Sequence, residues 1–509
     1  MKKPSKATIK KIIIGVAVSV FAVVTICMFI VSGVRVGKAS KFTLADRPQD
    51  GVTSLQPFNK GTGGSENFRI PAMVTLDDGT IISAIDARWN HTMDSAGIDT
   101  LVSVSRDGGN TWTYTFANHF GDFGNEMNLA STCFIDPALA TDGTRVYMLV
   151  DVYPSGYAIA SSMYTPMKGE TGFDDQNRLL LRSKDSVKVL FGGYTYPLAC
   201  HNADYDFYLD YTDDTKSAYG VYVRNNGQRV DGVEVDLFFN VTYTEDSEVK
   251  KSNLFFASSP YQVYPTGYLY MTSTTDGLNW SAPTLVNLKD KEEKALLLGP
   301  GRGVYDVGSG RTIFTAYYHQ SFKDENASLI WMDTEGNWHR SENATVSTTC
   351  SEASAVVLDD GTVRMFYRDG AEVVRYTDYT FDSARGNYFR NPNATEVATT
   401  AVKTAGCELS AIMYKHTYGG KQWIFLSTPT AGDKKRENGV IHGFVLEDDG
   451  SMTLVGSYEV KEGYFAYSCL TELNDGHLAI LYESGKGTVT FEKINVTWFW
   501  DKYNQMQEG

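Results

Sequence analysis

The chain is poor in proline and cysteine and has no surplus of positive charge. Its 509 residues include 14 Pro and six Cys, and the net charge is −15. So acidic a chain is not built to hold nucleic acid or to lie on an anionic membrane surface. A small anionic ligand is still compatible, because a local cluster of arginines outweighs the global field at contact distance. One cysteine, Cys27, lies in an apolar run and the other five are widely scattered. This spacing gives no CxxC metal motif and no disulfide framework, although a single pair could bridge. With 31 Tyr, 46 Gly and 13% aromatics, the composition favours many strands and tight turns over helical bundles.

Long hydrophobic runs are scarce too, with one exception. Residues 1–11 carry five lysines, and Ile12–Val34 follows as 23 residues without a charge. A run of that length is enough to cross about 30 Å of hydrocarbon as a helix. The reading is a basic cytoplasmic tail (1–11) and a transmembrane signal anchor (12–34). A polar stalk (35–60) would follow, and the rest of a single-pass type II membrane protein would lie outside the cell or in a lumen. Seven Asn-x-Ser/Thr sequons, among them Asn90 and Asn279, suit that placement.

From Gly61 onward a repeat sets the expected fold. Six times a turn ending in Gly precedes a short apolar strand that ends in a polar residue. The turn glycines are Gly79, Gly143, Gly310, Gly361, Gly420 and Gly476, at intervals of 64, 167, 51, 59 and 56 residues. Radially repeated four-stranded sheets have units of this size. The long interval then holds one unit plus an insert at about 155–260, itself rich in short strands. The expectation is an all-β, six-bladed β-propeller over residues 61–500 with an inserted irregular β subdomain and a C-terminal tail at 501–509. Three tryptophan-ended boxes accompany the repeat. Ser105–Trp112 is complete, Ser273–Trp280 is looser with Thr275 in place of the first Asp, and Met332–Trp338 is degraded. They read as turn scaffolding with no chemistry of their own.

In such a fold, strand ends converge on one face although they are far apart in sequence. Arg69, Arg88, Asp136, Glu352, Arg368, Arg436, Tyr467 and Glu483 all lie at or near such ends. Three converging guanidiniums can saturate one carboxylate with paired donors. A carboxylate-bearing substrate is the simplest anion to propose.

Several of these residues sit in motifs that occur in a recognisable order. The Phe-Arg-Ile-Pro run at 68–71, the Ser-x-Asp-x-Gly-x-Thr-Trp box and the segment SEASAVVLDDGTVRMFYR resemble the bacterial and trypanosomal sialidases. So do Arg436-Glu-Asn-Gly and Ala466-Tyr467-Ser468. The resemblance implies an arginine triad of Arg69, Arg368 and Arg436, with Glu483 orienting Arg69. It also implies Tyr467 as nucleophile, Glu352 as its base and Asp94 as acid/base. Arg88 and Asp136 would lie on the 4-hydroxyl side of the sugar, and Ile135 in the N-acyl pocket. The activity implied is retaining hydrolysis of terminal α-linked sialic acids from glycoproteins, glycolipids and oligosaccharides, with no metal or cofactor. Transfer of sialic acid, to another sugar or within the molecule, is the alternative. A silent sialoglycan-binding adhesin is disfavoured, since a binder needs only the arginines.

Overall fold

The computed structural model describes residues 51–508 except 95–96, 121–131, 159–170, 184–187, 192–193, 198–205, 211–221, 322–323, 346–348, 370–372 and 392–396. It is all-β, with one α-helix among the described residues, Thr497–Glu508. The six turn glycines all have positive φ, between 72° and 97°. Each opens a strand: Ile81–Ala87, Val146–Tyr153, Arg311–Ser321, Val363–Asp369, Gln422–Pro429 and Leu478–Gly485. These six strands fall in six different sheets, each paired antiparallel with a strand that precedes its turn.

In the first sheet Phe68–Thr75, Ile81–Ala87, Asp99–Ser105 and Thr111–Asn118 run as a meander, and Gly51–Ser54 adds a fifth strand at the outer edge. The second sheet begins with Cys133–Thr141 and Val146–Tyr153 and takes its third strand, Tyr268–Thr274, only after a long excursion. Short strands from Leu180–Ser183 to Tyr261–Val263 form separate sheets of two, three and five strands within that excursion. Cores lie between neighbouring sheets. Ile85, Trp112, Leu481 and Phe491 fill the space between the first and sixth, and Val356, Phe366, Ile424 and Leu426 that between the fourth and fifth.

Hydrogen bonds also join each sheet to the next. Asp136 N–H donates to Asp86 Oδ1 (3.1 Å), Leu298 N–H to Asp151 Oδ2 (3.1 Å), and Thr315 Oγ1 to the Ala353 carbonyl (2.6 Å). Further round, Ala411 N–H donates to Ser354 Oγ and Leu470 N–H to Ser410 Oγ, each at 3.0 Å, and Thr75 and Thr471 share a hydroxyl bond. The first of these pairs spans sheets one and two, and the last spans sheets six and one.

Three expectations change here. The anchor at 12–34 lies outside the described residues, and among the described residues no helix is long and apolar enough to cross a membrane. The membrane localisation is corrected accordingly: the one helix has 12 residues, about 18 Å of rise against the roughly 30 Å a span needs, and it carries Asp501 and Lys502. That helix also runs through the region read as a tail. It packs on the strand Met452–Tyr464, with Phe499 fully buried and Trp500 stacked on Tyr418 at 4.4 Å.

The third change concerns the looser tryptophan box. In the first box Asp107 Oδ1 accepts the Asn110 and Thr111 N–H groups, and Ser105 Oγ accepts that of Gly109. In the second, Asp276 Oδ1 accepts the Leu278 and Asn279 N–H groups and Thr274 Oγ1 accepts that of Gly277. Asp276 is therefore the box aspartate, and Thr275 replaces nothing. The box is simply one residue shorter between its Asp and its Trp. The four described cysteines, Cys133, Cys350, Cys407 and Cys469, are buried.

Candidate active site

Three β-bulges aim side chains into one cavity. They interrupt the first strands of the first, second and fourth sheets, between Arg69 and Ala72, Ile135 and Ala138, and Cys350 and Ala353. An extra residue in one strand breaks the alternation of faces and turns a side chain out of the ladder. The first two bulges have the same make-up: a non-glycine residue at positive φ (Ile70 at 61°, Asp136 at 62°) followed by Pro71 or Pro137. A β-branched residue in that region is strained, and proline has no N–H for the ladder to miss.

The cavity, of about 300 Å³, is lined by Arg69, Ile70, Asp94, Ile135, Asp136, Tyr153, Leu297, Tyr317, Glu352, Arg368, Arg436 and Tyr467. Eight of the ten residues singled out from sequence are therefore brought together. Arg88 and Glu483 stand directly behind them.

At the floor, Tyr467 is 6% exposed, and its hydroxyl donates to Glu352 Oε1 in a short bond. Arg368 Nη1 donates to Glu352 Oε2 (2.7 Å) and reaches Tyr467 Oη at 3.4 Å. Burial, and then the Glu352 charge, push the Tyr467 phenol well above its usual range, with Arg368 and Arg436 opposing. The Arg69 and Arg436 guanidiniums lie 5.5 and 5.2 Å from the Tyr467 ring centre. A protonated phenol thus rests against a carboxylate, with three cations around it. Arg436 is tied to the same segment by the Phe465 N–H, which donates to its carbonyl at 3.0 Å.

At the rim, Asp94 is 62% exposed and ion-paired twice, to Arg69 Nη1 (3.1 Å) and Arg88 Nη1 (2.5 Å). Burial raises its carboxyl affinity for a proton, but Arg88 and then Arg69 outweigh this and hold it below the usual range. Behind Arg69, Glu483 Oε1 accepts both the guanidinium Nε–H and the Ile70 N–H, each at 3.1 Å. Among the described residues no group of three or more His, Cys, Asp or Glu is arranged to hold a metal.

The family profile for BNR repeat-like domains matches residues 240–480. The chain is 28% identical to the anhydrosialidase of Macrobdella decora over 82% of its length and 58% of the relative's. With sialidase B of Streptococcus pneumoniae it shares 27% over 84% of its length and 63% of the relative's. Together these matches support a bacterial-type sialidase family for the chain. It spans about three-fifths of the length of those two curated relatives. Among solved structures, the leech intramolecular trans-sialidase in complex with 2,7-anhydro-Neu5Ac superposes with a TM-score of 0.67 at 25% identity, covering 87% of this chain and 70% of that one. The Ruminococcus gnavus intramolecular trans-sialidase gives 0.66 at 24% identity and shares the fold, covering 85% of this chain and 95% of that one.

Two placements in this site differ from what residue types alone indicate. Arg88 is 0% exposed and does not line the cavity. Its Nε and Nη2 donate to Asp86 Oδ2 (3.1 and 2.7 Å), and its Nη1 faces the Asp94 loop. Asp136 is half-buried at its bulge; burial, Asp86, Asp151 and Glu352 together drive its carboxyl well up, toward the neutral form.

Asp86 was missed from sequence although a signal was present. Three of the six repeat strands end in a buried acid: Asp86, Asp151 and Glu483. In register these face Arg69, Ile135 and Tyr467 across the sheet. Each accepts a backbone N–H from the next sheet: Asp136, Leu298 and Ile70 respectively.

Proposed function

We propose that this chain is an exo-sialidase, a retaining glycoside hydrolase that releases terminal α-linked sialic acids from glycoproteins, glycolipids and oligosaccharides. The observation that carries the reading is the Tyr467–Glu352–Arg368 hydrogen-bonded trio at the floor of the cavity, with Asp94 at its rim. A carboxylate nucleophile would be repelled by the carboxylate on the sugar's anomeric carbon, and a neutral phenol is not; sialidases are the known departure from the two-carboxylate scheme for this reason.

In the proposed course, Arg69, Arg368 and Arg436 bind the substrate carboxylate. That carboxylate takes Arg69 from Asp94, which removes one of the two cations holding Asp94 ionised and raises its proton affinity. Tyr467 Oη then attacks the anomeric carbon as its proton passes to Glu352. The bond to the aglycone oxygen breaks, and Asp94 supplies that oxygen with a proton. In the second half Asp94 takes a proton from water, the water oxygen attacks, and Tyr467 leaves and recovers its proton from Glu352. Ile135 and Asp136 would contact the N-acyl and 4-hydroxyl side, and no cofactor enters.

We also read residues 61–500 as a six-bladed propeller, supported by the six turn glycines in six sheets and by the bonds that join each sheet to the next. The insert between the second and third strands of the second sheet then sits beside the cavity's second sheet.

A second reading has its own support: two relatives carry the names anhydrosialidase and intramolecular trans-sialidase. In that reading a hydroxyl of the bound sugar, rather than water, releases Tyr467. NMR of the products from a sialoside separates the two. Free sialic acid appearing first as the α-anomer supports retaining hydrolysis, and a 2,7-anhydro sugar supports intramolecular transfer. Absence of any turnover overturns both.

A further inference from the structure

The buried acids that end the repeat strands act as a recurring device, and the roles of two of them can be compared. Glu483 accepts Arg69 Nε–H and the Ile70 N–H, so one carboxylate fixes both a clamp arginine and the bulge that presents it. Asp86, one sheet on, repeats the pattern. Its Oδ2 accepts Nε–H and Nη2–H of Arg88, and its Oδ1 accepts the N–H of Asp136 at the second bulge. Arg88 is fully buried, so its charge requires a partner. With Nε and Nη2 committed to Asp86, only Nη1 reaches forward. It donates to the Thr92 carbonyl (3.3 Å), the Met93 carbonyl (3.2 Å) and Asp94 Oδ1 (2.5 Å), three consecutive residues of one loop.

We propose that Asp86, acting through Arg88, is the positioning residue for the proton-donating loop, as Glu483 is for Arg69. This rests on the sialidase reading above. Asp86 shares the Arg88 charge, which leaves Asp94 free to become protonated once substrate has taken Arg69. Without the Asp86 charge, Asp94 becomes the principal counterion of a buried guanidinium and stays ionised. The proton for the leaving oxygen is then lacking, while the Tyr467–Glu352 pair is untouched. A bland role, in which Asp86 only neutralises a buried arginine for folding, affects both halves of the site alike.

Leaving-group dependence separates the two roles. A sugar leaving group needs a proton, and an acidic phenol barely does. The experiment measures kcat/KM of the full chain and its Asp86→Asn variant on sialyllactose and on an aryl sialoside, with thermal melts alongside. The expected result is a loss on sialyllactose at least about ten-fold greater than on the aryl sialoside. The double variant Asp86→Asn with Asp94→Ala should lose no more than Asp94→Ala alone. Equal losses on the two substrates, or additive losses in the double variant, overturn the inference. Should Asp86→Asn fail to fold, Arg88→Lys keeps the charge but cannot span Asp86 and the loop, and the same split is expected of it. A wild-type chain that cleaves neither sialoside overturns the sialidase reading and this inference together, whereas equal losses overturn the inference alone.

Discussion

The two sides of the cavity are built on opposite terms. On the floor, Tyr467 and Glu352 are each 6% exposed and hydrogen-bonded to one another. At the rim, Asp94 is 62% exposed and held by two ion pairs, one of which the substrate would claim. In the proposed course the nucleophile needs its base and its approach set before the substrate arrives, and burial on the floor serves that need. A group that must give up a proton and later take one gains from partners it can exchange. The comparison teaches that one site can hold a preset half and a responsive half, and that burial decides which is which.

The strongest way to break the comparison is to remove the preset half. Tyr467→Phe deletes one oxygen and leaves the aromatic packing, and kcat should fall by about 10³-fold or more on every sialoside, with the thermal midpoint near that of the wild type. A comparable rate in that variant would move the nucleophile elsewhere. Asp94→Ala attacks the responsive half. Turnover of sialyllactose should drop by about 10²-fold or more while an aryl sialoside loses far less. Equal losses would mean that Asp94 serves binding and not proton transfer. Glu483→Gln tests the support beneath Arg69: a buried charge-assisted bond of about 2 kcal/mol is lost, so KM should rise by about ten-fold or more with a smaller change in kcat.

Much of this was legible in the sequence for physical reasons. A turn that needs positive φ requires Gly, and an apolar strand must follow it, so the six turn glycines marked one strand in each of six sheets. Arg69, Glu352, Arg368 and Tyr467 stood beside such signals. What stayed hidden depends on packing between sheets. Nothing in the dipeptides Ile70-Pro71 and Asp136-Pro137 announces a bulge, because the strain there is held by carboxylates from a neighbouring sheet. Arg88 is two residues beyond Asp86, and only the fold shows that its head turns back to the Asp94 loop. The C-terminal helix was masked by a polar-looking end, since its Trp and Phe contacts come from a distant strand. The charge-free stretch at 12–34 suggested an anchor from length alone, and among the described residues no helix meets that requirement.

The smallest expected effect sharpens the comparison most finely, because it concerns what keeps the responsive half in place. His91 braces the Asp94 loop as a neutral ring: its Nδ1 accepts the Met93 N–H at 3.3 Å, and its Nε2 donates to the Gly97 carbonyl at 3.0 Å. Burial lowers its pKa to about 4, with the Gly97 bond opposing and the Arg88 charge assisting. Because the folded value lies below that of the unfolded chain, near 6.5, the ring's contribution is complete above about pH 6.5. It is lost progressively as pH falls toward 4, since the unfolded chain binds the proton first. Once protonated, Nδ1 cannot accept from Met93, and the loop loses one of its ties. His91→Gln should therefore cost only a few-fold on sialyllactose at neutral pH and little on an aryl sialoside. It should also flatten the acid limb of the melting temperature between about pH 6.5 and 4 relative to wild type. An unchanged acid limb would mean that His91 is not the group that titrates there. A loss equal on both substrates would place His91 with the floor rather than the rim.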